Sequence, residues 1–161
     1  GLDALLDFSR RRPAAPEPVA LAPFLEETLE LLRPRARQEG KGIDLRVPEG
    51  LTATVLPTQL QQAVVNLVAN GLDATPPGGG VRVGAEGRGD RVCLWVEDDG
   101  PGIPEGEVEA AFEPFVTTKA PGAGAGMGLP IAANFVHACG GTLRYERAAG
   151  GGARFVVDLP R

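Results

Sequence analysis

The sequence predicts an α+β domain: a two-layer α/β sandwich in which one mixed sheet carries helices on a single face. Three observations lead there. Helical and strand-like segments alternate along the chain, two strand pairs at 81–97 and 142–159 are spaced as hairpins, and the segment Arg91–Glu97 is apolar on both faces, as an interior strand is. About five strands and about three helices are expected. The 161 residues suffice for one core.

Each element has its own signal. Leu21, Phe24, Leu25, Thr28, Leu31 and Leu32 line one side of a helix over 21–38, opposite Glu26, Glu27 and Glu30. Pro34 should kink or end it, and Gly40 and Gly42 stop it. Ile43, Leu45 and Val47 alternate as a half-buried strand, and a weaker strand is expected near 53–56. A second long helix covers 58–74, strands start at Val81 and at Arg91, and a short helical turn falls near 108–112. A helix over 127–138 precedes strands around 143–145 and 155–159. Gly and Pro, 23 and 15 in number, exceed their usual share and are expected in loops.

The N-terminal stretch differs. Leu2, Leu5 and Leu6 have helical spacing but too little length to stand alone, and the Pro-rich run that follows reads as a semi-rigid linker. The chain begins at Gly1 and not Met, so a fragment is expected, with a helical domain preceding it.

Composition excludes several classes. A net charge of −5 argues against a general nucleic-acid binder. No apolar run approaches the ~20 residues of a membrane span, and the two cysteines, Cys93 and Cys139, form neither a disulfide framework nor a zinc knot. A reducing, cytoplasmic setting is the expectation.

Four constellations carry candidate chemistry. On the helix at 58–74, Gln59, Gln62, Asn66, Asn70 and Asp73 fall within about 40° of Asn66, with the apolar residues opposite. Such a stripe is either a wet face or a row of oxygens able to hold magnesium and phosphate. The run Asp98–Pro104 (DDGPGIP) follows the interior strand. It is either a tight turn, or a site in which Asp98 accepts from an exocyclic amine while Gly100 and Gly102 let backbone approach a ligand. The run GAGAGMGL at 122–129 leads into a helix, as an anion-binding glycine loop does, although it lacks the Lys-Ser/Thr of a Walker motif. Finally, FEPFVTTK at 112–119 sets Thr117, Thr118 and Lys119 beside two phenylalanines; Lys119 is one of two lysines and reads either as a surface residue or as a phosphate contact. His137, the single histidine, reads as a helix-end cap.

In this order the four elements resemble the ATP-binding domain of sensor histidine kinases, in the superfamily that includes gyrase B, mismatch-repair and heat-shock chaperone ATPases. NLVANGLDA looks like the N box, DDGPGIP the first glycine box, FEPFVTTK the F box and GAGMGLPIA the second glycine box, and the wording is closest to nitrogen-regulation-type kinases. The resemblance covers 20–160 and implies a Bergerat-type fold that binds ATP and Mg2+. It implies Asn70 as the magnesium ligand, with Asn66 and Asp73 on the same stripe, and Asp98 on the adenine amino group. Gly100, Gly102 and Ile103 would shape the adenine pocket. Gly126, Met127, Gly128 and Leu129 would present amides to phosphates, and Thr117, Thr118, Lys119 and the 120–125 stretch, Gly124 included, would form a lid.

The resemblance further implies a division into the tail of a dimerisation helix (1–9), a linker (10–18) and the catalytic domain (19–161). The phosphoacceptor histidine would lie on the dimerisation domain of the same kinase, outside this chain, and phosphate would pass on to the receiver domain of a response regulator. The parent would be a homodimer, membrane-anchored or not, and the fragment a monomer without nucleic-acid or membrane contacts. Two departures stand out. Hydrolysing relatives place a glutamate at position 66, whereas Asn66 cannot take a proton from water. A Thr is also usual where Ala153 stands. The alternatives are a superfamily ATPase or protein-serine kinase, and a degenerate nucleotide-binding module.

Overall fold

The computed structural model describes residues 15–112 and 128–161. In chain order the elements are β1 (Glu17–Ala20), α1 (Leu21–Glu30), α2 (Arg33–Glu39), β2 (Gly42–Arg46), β3 (Thr52–Val55), α3 (Pro57–Ala74), β4 (Gly80–Arg88), β5 (Arg91–Asp98), α4 (Val108–Ala111), α5 (Gly128–Ala138), β6 (Thr142–Arg147) and β7 (Ala153–Pro160). Five strands form one mixed sheet in the order β2-β4-β5-β7-β6. β2 runs parallel to β4 and the other pairs are antiparallel.

The expected sandwich is present, and strand periodicity explains it. Val81, Val83 and Ala85 of β4, Val92, Leu94 and Val96 of β5, and Phe155, Val157 and Leu159 of β7 share one face and are buried. Against them pack Leu60, Val64, Leu67, Val68 and Leu72 of α3, Leu21, Leu25 and Leu29 of α1, and Ala132 and Val136 of α5, in one continuous core. The doubly apolar Arg91–Glu97 segment is β5, the centre of the sheet.

On its outer face Cys93 is buried and Trp95 half-buried. The Arg154 guanidinium stacks 4.8 Å above the indole. Ion pairs step outward from there, from Arg82 to Glu97 (3.0 Å) and from Arg154 to Glu146 (2.9 Å). Among the described residues this face therefore meets water through charge rather than through a second helical layer.

Three boundaries differ from the sequence expectation. The helix over 21–38 is two helices, broken at Leu31–Leu32. Pro34 lies in the first turn of α2, where its missing N–H has no intrahelical partner to lose, and Gly40 caps α2 at φ 70°. The weak strand near 53–56 exists as β3, and its partner is β1, with Pro18 opposite Thr54. Glu17 and Pro18, placed at the end of the linker by composition, are thus part of a ladder; a strand paired on one edge tolerates proline. Residues 1–14, with the rest of the linker and the expected helix tail, lie outside the described residues.

β4 is also longer than the Val81–Val83 signal. Gly84 and Gly87 interrupt its pattern, yet the strand runs to Arg88. Gly84 is the cross-strand neighbour of Trp95, and a Cβ there would stand 2.4–2.7 Å from the indole ring. The glycine makes the room in which the tryptophan lies flat on the sheet. Gly84→Ala should cost about 1–3 kcal/mol in urea unfolding. The loss should shrink in a Trp95→Leu background, because the crowding partner is then gone; an equal loss in both backgrounds would contradict this account.

Candidate functional site

Asp98 is the buried charge around which the site is built. It ends β5, is 4% exposed, and its side chain lies on the core face of the sheet. Oδ1 accepts from the Gly100 amide (2.8 Å) and from the Ala153 amide at the start of β7 (3.3 Å). Oδ2 is turned to α3, where a Cβ on Gly71 would stand 3.6 Å away. Burial is the dominant influence on its protonation and pushes the carboxyl above the usual range, with Asp99 adding to the rise; the two amides and Arg82 pull the other way. A desolvated carboxylate with one oxygen fixed by backbone donors is a strong acceptor for an amino group.

The segment after Asp98 is fastened on three sides. The Asp99 carboxylate accepts from the Gly80 amide (2.8 Å) and pairs with Arg82 (3.0 Å), while its N–H donates to the Thr75 hydroxyl (3.3 Å). Arg82 and the Gly80 amide hold the Asp99 carboxyl below its ordinary value. Further along, the Tyr145 hydroxyl accepts from the Ile103 amide (3.0 Å) and donates to the Ile103 carbonyl (3.4 Å). The Tyr145 ring leans on Phe155 at 5.6 Å between centroids, and Phe112 meets Phe155 edge-on at 6.5 Å.

The glycines of the first glycine-rich run have a reason other than the expected close approach of a ligand. A Cβ on Gly100 would lie 2.8 Å from the Ala74 carbonyl oxygen, so the turn fits against the end of α3 only without a side chain. Gly102 sits at φ 76° beneath the Tyr145 hydroxyl and Arg147. Gly152 faces the Asp98 carbonyl so closely that a Cβ would stand 2.0 Å from it. Protein packing alone demands these glycines.

The stripe on α3 divides. Asn66 and Asn70 are half-buried, and Asn70 immediately precedes the Gly71 that faces Asp98. The α3 backbone at Asn70–Gly71 therefore lies beside the carboxylate, at the start of β4 and the end of β5. Asp73, expected on the same stripe, is exposed and ion-paired with Arg35 of α2. Gly128 opens α5 and Leu129 is buried in the core beneath it. The first amides of a helix lack intrahelical acceptors, which suits the phosphate role expected of this turn. Thr117, Thr118, Lys119, Gly124, Gly126 and Met127 lie outside the described residues. His137 is exposed in the last turn of α5, where its carbonyl accepts from Gly140 (2.9 Å).

Among the described residues no group of three or more His, Cys, Asp or Glu side chains could cage a metal. An ion here would be held by side-chain amide oxygen together with a ligand's own oxygens, as magnesium is in nucleotide sites. Both cysteine thiols are buried and pushed up by that burial, so neither is an activated nucleophile.

Sequence reading missed Asp99, Tyr145, Gly71 and Gly152. The doubled aspartate hid a division of labour, one residue facing inward and the other clamping the turn. Tyr145 carried a usable signal, since a half-buried tyrosine on a strand needs a partner for its hydroxyl.

Comparison with known proteins identifies the family and the fold. The sequence model of the histidine kinase-, DNA gyrase B- and HSP90-like ATPases matches residues 55–161. The sensor kinase CckA of Brucella abortus is 34% identical over 175 residues, covering 98% of this chain and 18% of that protein, so the chain spans under a fifth of that relative's length. The nucleotide-free catalytic domain of histidine kinase ThkA superposes with a TM-score of 0.81 at 28% identity, covering 90% of this chain and 95% of that domain. ThkA in complex with the response regulator TrrA gives 0.78 at 25%, covering 99% and 46%. Full-length ShkA in complex with AMPPNP gives 0.79 at 31%, covering 99% and 35%. With the family model matched across residues 55–161, about two thirds of its length, the chain belongs to the histidine kinase-, DNA gyrase B- and HSP90-like ATPase family.

Proposed function

We propose that this chain is the ATP-binding catalytic domain of a two-component sensor histidine kinase. It delivers the γ-phosphate of ATP to a histidine on the dimerisation domain of the same kinase, from which phosphate passes to a response-regulator receiver domain. The observation that carries the reading is Asp98: a buried carboxylate, fixed by two amides, one oxygen turned toward the helix that holds Asn70. In this reading Asp98 accepts from the adenine amino group, and Asn70 contributes its amide oxygen to magnesium. In this reading Gly128 and Leu129 present amides to the phosphates. Magnesium, when bound, would supply charge neutralisation and a template for the phosphates.

Phosphoryl transfer requires placement and charge compensation more than covalent help. This explains how a domain of net charge −5 takes a polyanion: backbone amides and an ion replace a basic surface. Asn66 separates this reading from a hydrolase, because an amide cannot serve as general base for water. The direct test is transfer. With labelled ATP and a separately purified dimerisation domain, an acid-labile phosphohistidine should form on that domain. Rapid ATP hydrolysis without transfer would overturn the proposal.

Asp98→Asn should abolish ATP binding in calorimetry while the fold persists, since an amide oxygen can still accept from Gly100 and Ala153. Affinity of the parent protein should fall on acidification, beginning above the ordinary carboxylate range, because the protonated acid loses acceptor strength. Stability should follow the opposite sense. The native carboxyl binds its proton at higher pH than the unfolded one, so the protonated native state is favoured between the two pKa values. Stability from this group is therefore lost as pH rises through the native pKa. The Asn variant should lack that slope; the same slope in both proteins would refute the assignment.

Asn70→Ala should remove the dependence of ATP affinity on magnesium. Titrations that still differ with and without magnesium would count against Asn70 as its ligand.

A further inference from the structure

Every other arginine on strands β4 to β7 is ion-paired among the described residues: Arg82 with Glu97 and Asp99, Arg88 with Glu86, Arg91 with Asp158, Arg144 with Glu146, and Arg154 with Glu97 and Glu146. Arg147, the last residue of β6, is the exception. Its guanidinium lies against two main-chain oxygens, the Pro101 carbonyl at 3.5 Å and the Gly151 carbonyl at 3.4 Å. These belong to different segments: Pro101 to the turn after Asp98, Gly151 to the connection between β6 and β7. The same Nη1 would stand 3.1 Å from a Cβ on Gly102.

Register places this group on the side of the sheet that bears the site. Arg147 is the direct cross-strand partner of Ala153, whose amide donates to Asp98, and two residues earlier Tyr145 holds Ile103 from the same face. β6 thus carries two successive fasteners for one turn. Tyr145 is half-buried and grips Ile103 at close range, whereas Arg147 is exposed and its contacts are long. A cation between two carbonyls with no competing carboxylate holds them by charge and stays adjustable, while a bidentate ion pair would fix one geometry.

We propose that Arg147 is a positioning residue for the base pocket: acting through Pro101 and Gly151, it holds the turn after Asp98 against the β6–β7 connection and so sets the width of the pocket in which Asp98 meets the base. This inference rests on the nucleotide-binding reading and adds a specific residue to it. Arg147 works through the loop and does not touch phosphate, so its loss affects ATP and ADP alike.

The test uses the full chain and its Arg147→Ala and Arg147→Lys variants. Calorimetry gives affinities for MgATP and MgADP, amide hydrogen exchange at Ile103 is followed without nucleotide, and urea midpoints are recorded. Arg147→Ala should weaken both nucleotides by about fivefold, as expected for loss of an exposed charge-assisted contact. It should speed exchange at Ile103 and leave the urea midpoint unchanged, because the side chain is exposed. Lysine, a single point of charge, should recover part of the affinity. Unchanged affinity, a loss confined to ATP, or unaltered exchange at Ile103 would each overturn the inference while the nucleotide reading stands. Failure of the parent chain to bind either nucleotide would overturn both.

Discussion

One desolvated carboxylate constrains this domain. Asp98 occupies the end of the central strand, where the sheet face that elsewhere carries valine and leucine must accommodate a charge. Such a group is tolerated only when its oxygens are matched by donors. The Gly100 and Ala153 amides satisfy one oxygen, and they come from two segments far apart in sequence. The turn after β5 and the start of β7 are thereby drawn to the same point, and the absence of side chains at Gly100 and Gly152 follows from how closely backbone must gather there. The residue that orders the site is also the one whose second oxygen is turned to α3.

Around that point the chain arranges supports of graded strength. Asp99 is tied by Arg82, by the Gly80 amide and by Thr75, so the base of the turn is rigid. Tyr145 holds its far end at Ile103. Arg147 spans the middle by long contacts to carbonyls. The helix that carries Asn66 and Asn70 is secured at its other surfaces: Lys41 donates to the Leu72 carbonyl (2.6 Å), and Arg35 pairs with Asp73. α2 and the segment after it therefore fix the C-terminal end of α3, the end that faces Asp98. Preorganisation of this kind reduces the ordering that ligand binding would otherwise require.

The outer face of the sheet solves a different problem. A two-layer fold leaves one side of its sheet to solvent, and the central strand puts Trp95 and Cys93 there. Gly84 lets the indole lie flat, Arg154 covers it, and alternating charges surround both. The apolar reading of both faces of Arg91–Glu97 was sound. What it left open was whether a second layer or a charged cover would shield the outer face, and that depends on residues of neighbouring strands.

How much was legible without coordinates follows from the range of each interaction. Periodicity is local, so the helices at Leu21 and Pro57, the interior strand and the final hairpin could be read directly. The linear order of the four motifs was also visible, and with it the family. The pairing of β1 with β3 was not, because a proline-rich run shows its ladder only when the partner strand is beside it. Nor was the ion pair that takes Asp73 to Arg35, 38 residues away in sequence. The sequence by itself determined where most helices and strands fall and which family the chain belongs to. Tertiary structure alone decided which of two adjacent aspartates is buried and which is salt-bridged, and why its glycines are glycines. Those outcomes depend on distances between backbone segments that have no local signature.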